Sequence, residues 1–196
     1  MVNIANIYSH LIDVQHDMFA QQSEYVFLTE TWIQPHDDHQ RINWPGRVLT
    51  HASIGNGRGV CCYGPENSST MYINDCIRPM FQMLSILIKN EFQVIIAYCS
   101  KDCNFAEVAT CLKDIIIPHL NIILFGDFNI GHKEKNNAMV KMLIDLGFKQ
   151  KVDFPTHTKS RTIDHIYFSK STNEIGVVIE HHFNYYSDHC SFNLSL

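Results

Sequence analysis

The amino-acid sequence predicts an α/β fold, and two observations carry this prediction. Segments with the three- and four-residue spacing of amphipathic helices alternate along the chain with short apolar runs of strand length. Several of these runs are apolar without alternation, which is typical of strands buried on both faces of a sheet. No internal repeat, low-complexity tract or linker interrupts the 196 residues, so we expect one domain spanning residues 1–196.

The first third of the chain is predicted to hold one helix and four strands. Leu11, Val14 and Met18 recur at helical steps, which predicts an amphipathic helix over residues 8–21. Residues 25–28 are an apolar run rich in aromatic and β-branched side chains, which favours a strand. The predicted strands of this part are 3–6, 25–28, 47–53 and 60–63.

The rest of the chain continues the alternation of helices and strands. Two further helices are indicated by helical spacing, and both end at a suitable residue, one before Pro118 and one at Gly147. The predicted helices are 105–116 and 136–146. The predicted strands are 83–88 and 92–98, which are joined by a tight turn, and 122–125, 162–168 and 190–196.

The composition favours an intracellular globular protein, in the nucleus or the cytoplasm. Hydrophobic residues make up 45% of the chain and charged residues 18%, so disorder is not expected. The seven cysteines lack paired C-x-x-C spacing, which disfavours a disulfide framework or a structural zinc site. No apolar run is long enough to cross a bilayer, and the first residues do not resemble a secretory signal. We therefore expect neither a membrane partner nor secretion.

Basic residues are concentrated in one part of the chain, although the formal net charge is -5. Residues 131–165 hold seven lysines and arginines against four acidic residues. If these bases share one face, a polyanion such as a nucleic acid could dock there despite the acidic total. An ordinary solvated surface explains the same pattern equally well.

The residues on which the rest of the sequence depends are 121–130, where an apolar strand ends in polar groups. Gly126 permits unusual backbone angles, and Asp127 and Asn129 follow it. If the extended geometry persists, these two side chains point the same way and share one small space. The alternative is a turn in which Asp127 and Asn129 cap backbone groups.

Four more polar groups lie at or beside predicted strands. Glu30 follows the strand 25–28 directly, and a carboxylate so near a core is costly unless it holds a partner. A salt bridge would explain Glu30 without any chemistry. The remaining groups are Tyr98 at the end of 92–98, Asp164 within 162–168, and Ser187, Asp188 and His189 before the last strand. Each signal is weak alone, but their combination indicates a catalytic site.

Four motifs occur in order along the chain: Leu-Thr-Glu-Thr-Trp at 28–32, Gly-Asp-Phe-Asn at 126–129, Thr-Ile-Asp-His-Ile at 162–166 and Ser-Asp-His at 187–189. This ordered set resembles the endonuclease/exonuclease/phosphatase superfamily and covers nearly the whole chain. Leu-Thr-Glu-Thr-Trp, Gly-Arg-Gly-Val at 57–60 and Pro-Thr-His at 155–157 are most similar to the endonuclease domains of LINE-type retrotransposons. Apurinic/apyrimidinic endonucleases are the next most similar.

The resemblance implies a four-layered α/β sandwich of the DNase I type, with two packed mixed sheets flanked by helices. It also implies a Mg²⁺-dependent phosphodiesterase that nicks DNA by metal-assisted in-line attack of water, with Mn²⁺ as a possible substitute for Mg²⁺. The expected partner is a nucleic acid, DNA rather than RNA. The protein is expected to be a monomer or part of a larger polyprotein.

The same resemblance implies the roles of the site residues. Those expected to bind the metal are Glu30, Asp188 and Asn3. Those expected to be catalytic are Asp127, Asn129, His189, Asp164 and Tyr98. Those expected to bind substrate are Arg58, Lys133, Lys159, Arg161 and Ser187. The chain departs from the family in two places, the short N-terminal segment before Asn3 and the brief segment 154–164. Retrotransposon enzymes carry a DNA-contacting hairpin in the second place, so this departure argues against sequence-specific target choice.

Two alternatives stay open at the level of the sequence. The first is another activity of the same superfamily, an RNA-directed nuclease, a deadenylase or a phosphatase, because the metal centre would be nearly identical. The second is a catalytically inactive nucleic-acid-binding module. The second is disfavoured because every polar position at a strand end carries the catalytic residue type.

Overall fold

The computed structural model describes residues 1–34, 36, 39–54, 58–131, 134 and 136–195. The strands are β1 (Val2–Asn3), β2 (Val26–Thr29), β3 (Arg47–Ala52), β4 (Val60–Pro65), β5 (Met71–Arg78), β6 (Phe81–Ile88), β7 (Phe92–Cys99), β8 (Asn121–Asp127), β9 (Lys149–Gln150), β10 (Asp164–Phe168), β11 (Val178–Phe183) and β12 (Cys190–Ser195). The helices are α1 (Ile7–His16), α2 (Met18–Gln22), α3 (Phe105–Ile115), α4 (Ala138–Asp145) and α5 (Lys170–Ile175), with a short 3-10 helix at His39–Ile42. No helix of these ranges is long and apolar enough to cross a membrane.

The strands form two mixed sheets. In the first sheet the order is β1-β2-β4-β3, and the β11-β12 hairpin continues it because the Phe192 N–H donates to the Met1 carbonyl at 3.0 Å. In the second sheet the order is β5-β6-β7-β8-β10-β9. Parallel pairs occur at β1-β2 and at β7-β8, and the other pairs are antiparallel.

The two sheets pack face to face with helices on both outer sides. Between the sheets, Phe27 of β2 meets Phe125 of β8 edge to face, with ring centroids 5.0 Å apart. Helices α3 and α4 cover the outer face of the second sheet, and α1 and α2 cover the first. This arrangement confirms the predicted four-layered α/β sandwich.

Strand β8 is buried on both faces, as its unbroken apolar run predicts. Alternate residues of β8 face the two sides of the second sheet: Leu124 packs under α3 and α4, whereas Phe125 faces the first sheet. The predicted tight turn between β6 and β7 is also present, with Lys89 and Asn90 both at positive φ.

The predicted helix over residues 8–21 is wrong as a single element. The chain breaks at Asp17, whose backbone is extended and whose Oδ1 accepts hydrogen bonds from the Phe19 and Ala20 amides at 2.9 and 3.1 Å. Asp17 therefore ends α1 and caps α2, because an aspartate satisfies the free N–H groups at a helix start.

Five elements were not predicted from the sequence, including the short 3-10 helix at His39–Ile42. Strands β5 and β11 lie at sheet edges and are mostly exposed, so neither carries an apolar run. Strand β9 has two residues and α5 has six, which is too short for a periodic signal.

Gly126 allows β8 to lie close to β7 near the end of the parallel pair. It pairs with Ala97, and a Cβ atom at this position would lie 1.9 Å from the Ala97 carbonyl oxygen. The next pair in register is Tyr98 with Asp127, so the contact at Gly126 sets where both polar side chains emerge. Glycine is required here for space as well as for its φ of 157°.

Substituting Gly126 with alanine is expected to lower the free energy of unfolding by at least about 3 kcal/mol, because the new Cβ overlaps backbone atoms that cannot move independently. The matched control is Gly147→Ala, which has φ 80° but leaves the new Cβ with no other atom within 4 Å. The control is expected to cost only about 1 kcal/mol from backbone strain. Urea denaturation of both variants measures the difference, and equal losses would contradict the steric argument.

Candidate active site

Polar side chains from both sheets converge at one end of the sandwich. Asp127 ends β8 and lies opposite Asp164, the first residue of the antiparallel strand β10. Asn3 ends β1 in the first sheet and reaches across, donating its amide hydrogen to Asp127 Oδ2 at 3.1 Å. All three residues are buried. The packing of the two sheets therefore brings Asn3 and Asp127, which are 124 positions apart, into direct contact.

Asp127 is held by hydrogen bonds to both of its oxygens. Oδ2 accepts from Asn3, and Oδ1 accepts from the Asn129 backbone N–H at 3.0 Å. Burial raises the pKa of Asp127 well above its ordinary value, and the neighbouring charge of Asp164 raises it further. Such a carboxylate is a stronger base than a solvated one.

Asn129 does not continue the strand, so the expectation of extended geometry through this residue is wrong. Its φ is 52°, and its side-chain amide donates to the Cys99 carbonyl at 3.1 Å. The turn leaves the Asn129 side chain partly exposed beside Asp127. The buried His165 supports the same turn, with Nε2 3.0 Å from the Ile130 carbonyl and Nδ1 3.0 Å from the Tyr167 hydroxyl.

His189 lies between three carboxylates. Its Nδ1 is 2.9 Å from Asp164 Oδ2 and 3.1 Å from Oδ1, while its Nε2 is 4.0 Å from Asp127 Oδ2 and 3.9 Å from Asp188 Oδ1. Burial alone would lower the pKa of His189. The hydrogen bond and charge of Asp164, with the charges of Asp127 and Asp188, outweigh burial and raise the pKa to about 9. His189 is therefore protonated at neutral pH, with one N–H facing the open side of the cluster.

Glu30 approaches the cluster from the first sheet. It follows β2 at a φ of 55°. Burial raises the pKa of Glu30, and the neighbouring Tyr98 hydroxyl, His189 and Asn3 amide oppose that shift only in part. Asn3 thus lies near Glu30 while it donates to Asp127, and its own Oδ1 accepts from the Ala5 N–H at 3.1 Å.

Two residues of this region were not singled out by sequence reasoning, Thr156 and His157. The buried Thr156 hydroxyl accepts from the backbone N–H groups of Ile163 and Asp164, each at 3.1 Å, and so fixes the start of β10. The buried His157 places Nε2 at 3.2 Å from Asp188 Oδ2. The signal was present in the Pro-Thr-His motif, but nothing in the sequence placed it beside Ser-Asp-His.

The residues predicted to bind substrate have different surroundings. Arg58 donates to the Pro79 carbonyl at 2.8 Å, and the Ser187 hydroxyl accepts from the His189 N–H at 3.1 Å, so both already stabilise loops. Lys159 and Arg161 are exposed on the turn that follows His157. Lys133 lies outside the described residues.

The donor set fits a hard divalent cation. Glu30, Asp127, Asp164 and Asp188 gather around one histidine. Burial raises the pKa values of Glu30 and Asp127, and neighbouring carboxylates raise them further, so a cation would stabilise both groups in their charged form. Oxygen ligands of this kind suit Mg²⁺ or Mn²⁺. The ligand atoms of Asp127, Asp164 and His189 lie within 4.8 Å of one another, as do those of His157, Asp188 and His189.

The ion pair of His189 with Asp164 is expected to give metal-free protein a pH-dependent stability. The folded-state pKa is raised from 6.5 to about 9, so the stabilisation is complete below about pH 6.5 and is lost as the pH rises through 9. Its size is roughly 3 kcal/mol. Urea unfolding in EDTA between pH 5.5 and 9.5 measures the difference between wild type and His189→Gln, which is expected to shrink across this range. A constant difference, or an equal trend in the exposed control His119→Gln, would contradict the ion pair.

The structure is similar to those of several solved phosphoesterases. A 3'-5' exonuclease from Neisseria meningitidis matches with 17% identity and a TM-score of 0.73, covering 99% of this chain and 97% of that one. An AP endonuclease from Archaeoglobus fulgidus matches with 13% identity and a TM-score of 0.73, covering 99% and 96%. A mannosyl-6-phosphatase from Bacteroides thetaiotaomicron matches with 14% identity and a TM-score of 0.61, covering 100% and 98%. These likenesses confirm the predicted endonuclease/exonuclease/phosphatase fold.

The sequence itself identifies the family. No curated protein sequence matches the chain. The family model described as endonuclease-reverse transcriptase matches residues 92–192, just over half of the chain. This match contains β7, β8, β10 and the turn before β12, which carry most of the polar cluster. The chain therefore belongs to the endonuclease-reverse transcriptase family and has the endonuclease/exonuclease/phosphatase fold.

Proposed function

We propose that residues 1–196 act as one domain, a divalent-metal-dependent endonuclease that nicks DNA by hydrolysing phosphodiester bonds. The observation that carries the proposal is the buried arrangement of Asp164, His189 and Asp127, with Glu30 facing it from the other sheet. This arrangement combines a proton donor, a base and a cation-binding carboxylate within one small space. The family description supports an endonuclease of the retrotransposon type.

Glu30 and Asp188 are the residues best placed to hold Mg²⁺, or Mn²⁺ in its stead. Glu30 is partly buried near Tyr98 and Asn3, while Asp188 is the most exposed carboxylate of the cluster. The Asn3 amide group is fixed by its hydrogen bonds with Asp127 and Ala5, and one lone pair of its oxygen remains for the ion. A bound cation would neutralise the non-bridging phosphate oxygens and the charge that develops on the leaving oxygen.

Asp127 is suited to orient the attacking water and accept its proton. Its raised pKa makes it a competent base, and its hydrogen bonds to Asn3 and Asn129 keep the carboxylate from rotating. Asn129 stands beside it with an amide group held by the Cys99 carbonyl. The amide oxygen of Asn129 is thus available to position the water or the scissile phosphate.

His189 is suited to donate a hydrogen bond or a proton to a phosphate oxygen. Asp164 binds Nδ1, so the proton on Nε2 is directed toward the space between Asp127 and Asp188. A donor that is already charged and oriented stabilises the extra charge of the transition state without rearrangement. The Tyr98 hydroxyl lies near Glu30, whose charge raises the pKa of Tyr98 after the larger effect of burial, and it is suited to add a second contact to the phosphate.

Two observations support a polymeric substrate and an intracellular location. Lys159 and Arg161 are exposed beside His157, where their charges lower its pKa after the larger effect of burial. A phosphodiester chain running past the site would meet both cations, and this favours a nucleic acid over a small phosphate ester.

All seven cysteines are free and buried, which suits the reducing nucleus or cytoplasm.

Purified protein is expected to convert supercoiled plasmid to the open circle in Mg²⁺ but not in EDTA. Asp127→Ala and His189→Ala are each expected to lower the nicking rate by at least about 100-fold while the far-UV circular dichroism stays unchanged, because each removes a group needed for proton transfer. His119→Ala, an exposed histidine, is the matched control and is expected to nick at the wild-type rate.

A labelled single-stranded RNA is incubated in parallel to distinguish the alternatives. Intact plasmid with degraded RNA would move the activity to an RNA nuclease. Metal-dependent nicking that persists in either alanine variant would overturn the assigned mechanism. Binding without cleavage of either substrate would favour the inactive module.

Replacing Lys159 and Arg161 together by alanine is expected to weaken DNA binding without changing the chemical step. We expect KM for plasmid to rise roughly tenfold at physiological ionic strength, with kcat retained, and the slope of log KM against log salt to flatten by one to two. Initial rates at several salt concentrations measure both effects. The charge-matched control is the double variant Lys113→Ala and Lys170→Ala, which removes two exposed cations at the opposite end of the second sheet, in the last turn of α3 and at the start of α5. A fall in kcat with an unchanged salt slope would contradict the proposed contact.

A further inference from the structure

The turn at residues 157–160 is hydrogen-bonded directly to the Ser-Asp-His segment at 187–189. The Thr158 N–H donates to the Asp188 carbonyl at 2.9 Å, and the Cys190 N–H donates to the Thr156 carbonyl at 2.6 Å. These bonds form a short antiparallel ladder in which His157 lies opposite His189. Their rings meet edge to face, with centroids 4.8 Å apart. The position of His157 relative to Asp188 is therefore set by the backbone.

The hydrogen bond that His157 accepts at Nδ1 determines which ring nitrogen carries the proton. The Lys159 backbone N–H donates to Nδ1 at 3.0 Å, so Nδ1 presents a lone pair. Nε2 must then carry the hydrogen, and it lies 3.2 Å from Asp188 Oδ2. A metal ligand would need the lone pair on Nε2 instead. The Nε2–H group of His157 therefore lies in polar contact with the Asp188 carboxylate, and Nε2 has no lone pair to offer a metal ion.

Asp188 needs such a donor because its side chain is 58% exposed, whereas the His157 side chain is 5% exposed. An exposed carboxylate exchanges rotamers freely unless a rigid neighbour holds it. The contact with His157 is made by Oδ2, and Oδ1 lies 3.9 Å from His189 Nε2. One oxygen of Asp188 is thereby directed into the site while the other is anchored to a buried ring.

We propose that His157 is a positioning residue that orients the Asp188 carboxylate toward the cation and the scissile phosphate. The inference rests on the proposed function for its catalytic consequence, but the contact itself can be tested by cation binding alone. Partners of this kind, which hydrogen-bond a ligand rather than the ion, typically contribute 10–100-fold in metal affinity or activity.

Two substitutions separate the hydrogen bond that His157 accepts at Nδ1 from the contact that its Nε2–H group makes with Asp188. In His157→Asn the side-chain oxygen lies where Nδ1 lies, so the bond from Lys159 is kept and the donor to Asp188 is lost. In His157→Gln the amide nitrogen lies where Nε2 lies, so the donor to Asp188 is kept. His119→Asn, on an exposed loop, controls for the change of residue type.

Mn²⁺ binding is measured by electron paramagnetic resonance and Mg²⁺ activation by plasmid nicking. His157→Asn is expected to raise the Mn²⁺ Kd and the half-activating Mg²⁺ concentration by tenfold or more, with the Tm within about 2 °C of wild type. His157→Gln is expected to recover most of the loss. In an Asp188→Ala background, His157→Asn is expected to have no further effect, because its role is exerted through that carboxylate.

An unchanged Mn²⁺ Kd in His157→Asn overturns the inference even if wild type nicks DNA. The inference is also overturned if His157→Asn and Asp188→Ala raise the Mn²⁺ Kd by factors that multiply in the double variant. It is overturned as well if the loss of Mn²⁺ affinity follows a lowered Tm, since both results indicate a structural role. A weakened Mn²⁺ Kd that glutamine restores supports the inference even if wild type has no nuclease activity. The failure of the inference and the failure of the proposed function are thus distinguishable.

Discussion

The organisation of this protein depends on two carboxylates that are buried opposite each other. Asp127 and Asp164 face each other across the β8-β10 register, and both side chains are almost completely excluded from solvent. Like charges at this depth repel strongly and cannot both stay ionised without compensation. The fold supplies it in His189, which pairs with Asp164, and in the amides of Asn3 and Asn129, which bind Asp127.

These partners compensate only part of the electrostatic cost of the buried carboxylates, and the remaining cost favours the binding of a cation. Burial raises the pKa values of Asp127 and Glu30, and the cluster has a surplus of acidic groups because four carboxylates surround His189. A divalent cation stabilises such a surplus, and a phosphate group brings its own negative charge to the cation and to His189. The same electrostatic imbalance that makes the end of the sandwich costly in isolation thus makes it suited to bind metal and phosphate together.

The site is also divided between the two sheets, and so it depends on the packing between them. Asn3 and Glu30 belong to the first sheet, whereas Tyr98, Asp127 and Asp164 belong to the second. The hydrogen bond from Asn3 to Asp127 crosses the interface at its rim, where Tyr98 also lies near Glu30, above the contact of Phe27 with Phe125. A change in sheet packing would alter the separation of these groups, and this links core residues to the geometry of the site.

The sequence by itself determined the α/β class, the buried β8 and the types of residue at the strand ends, because hydrophobic runs and polar stops are local signals. It could not give the break at Asp17 or the edge strands β5 and β11, since a cap and an exposed edge leave no periodic pattern. Only the tertiary structure decided that Asn129 turns away from the strand, that Asn3 donates to Asp127 across the sheet interface and that His157 meets Asp188. These contacts join residues far apart in the chain, and register and sheet packing, not local preference, set their distances.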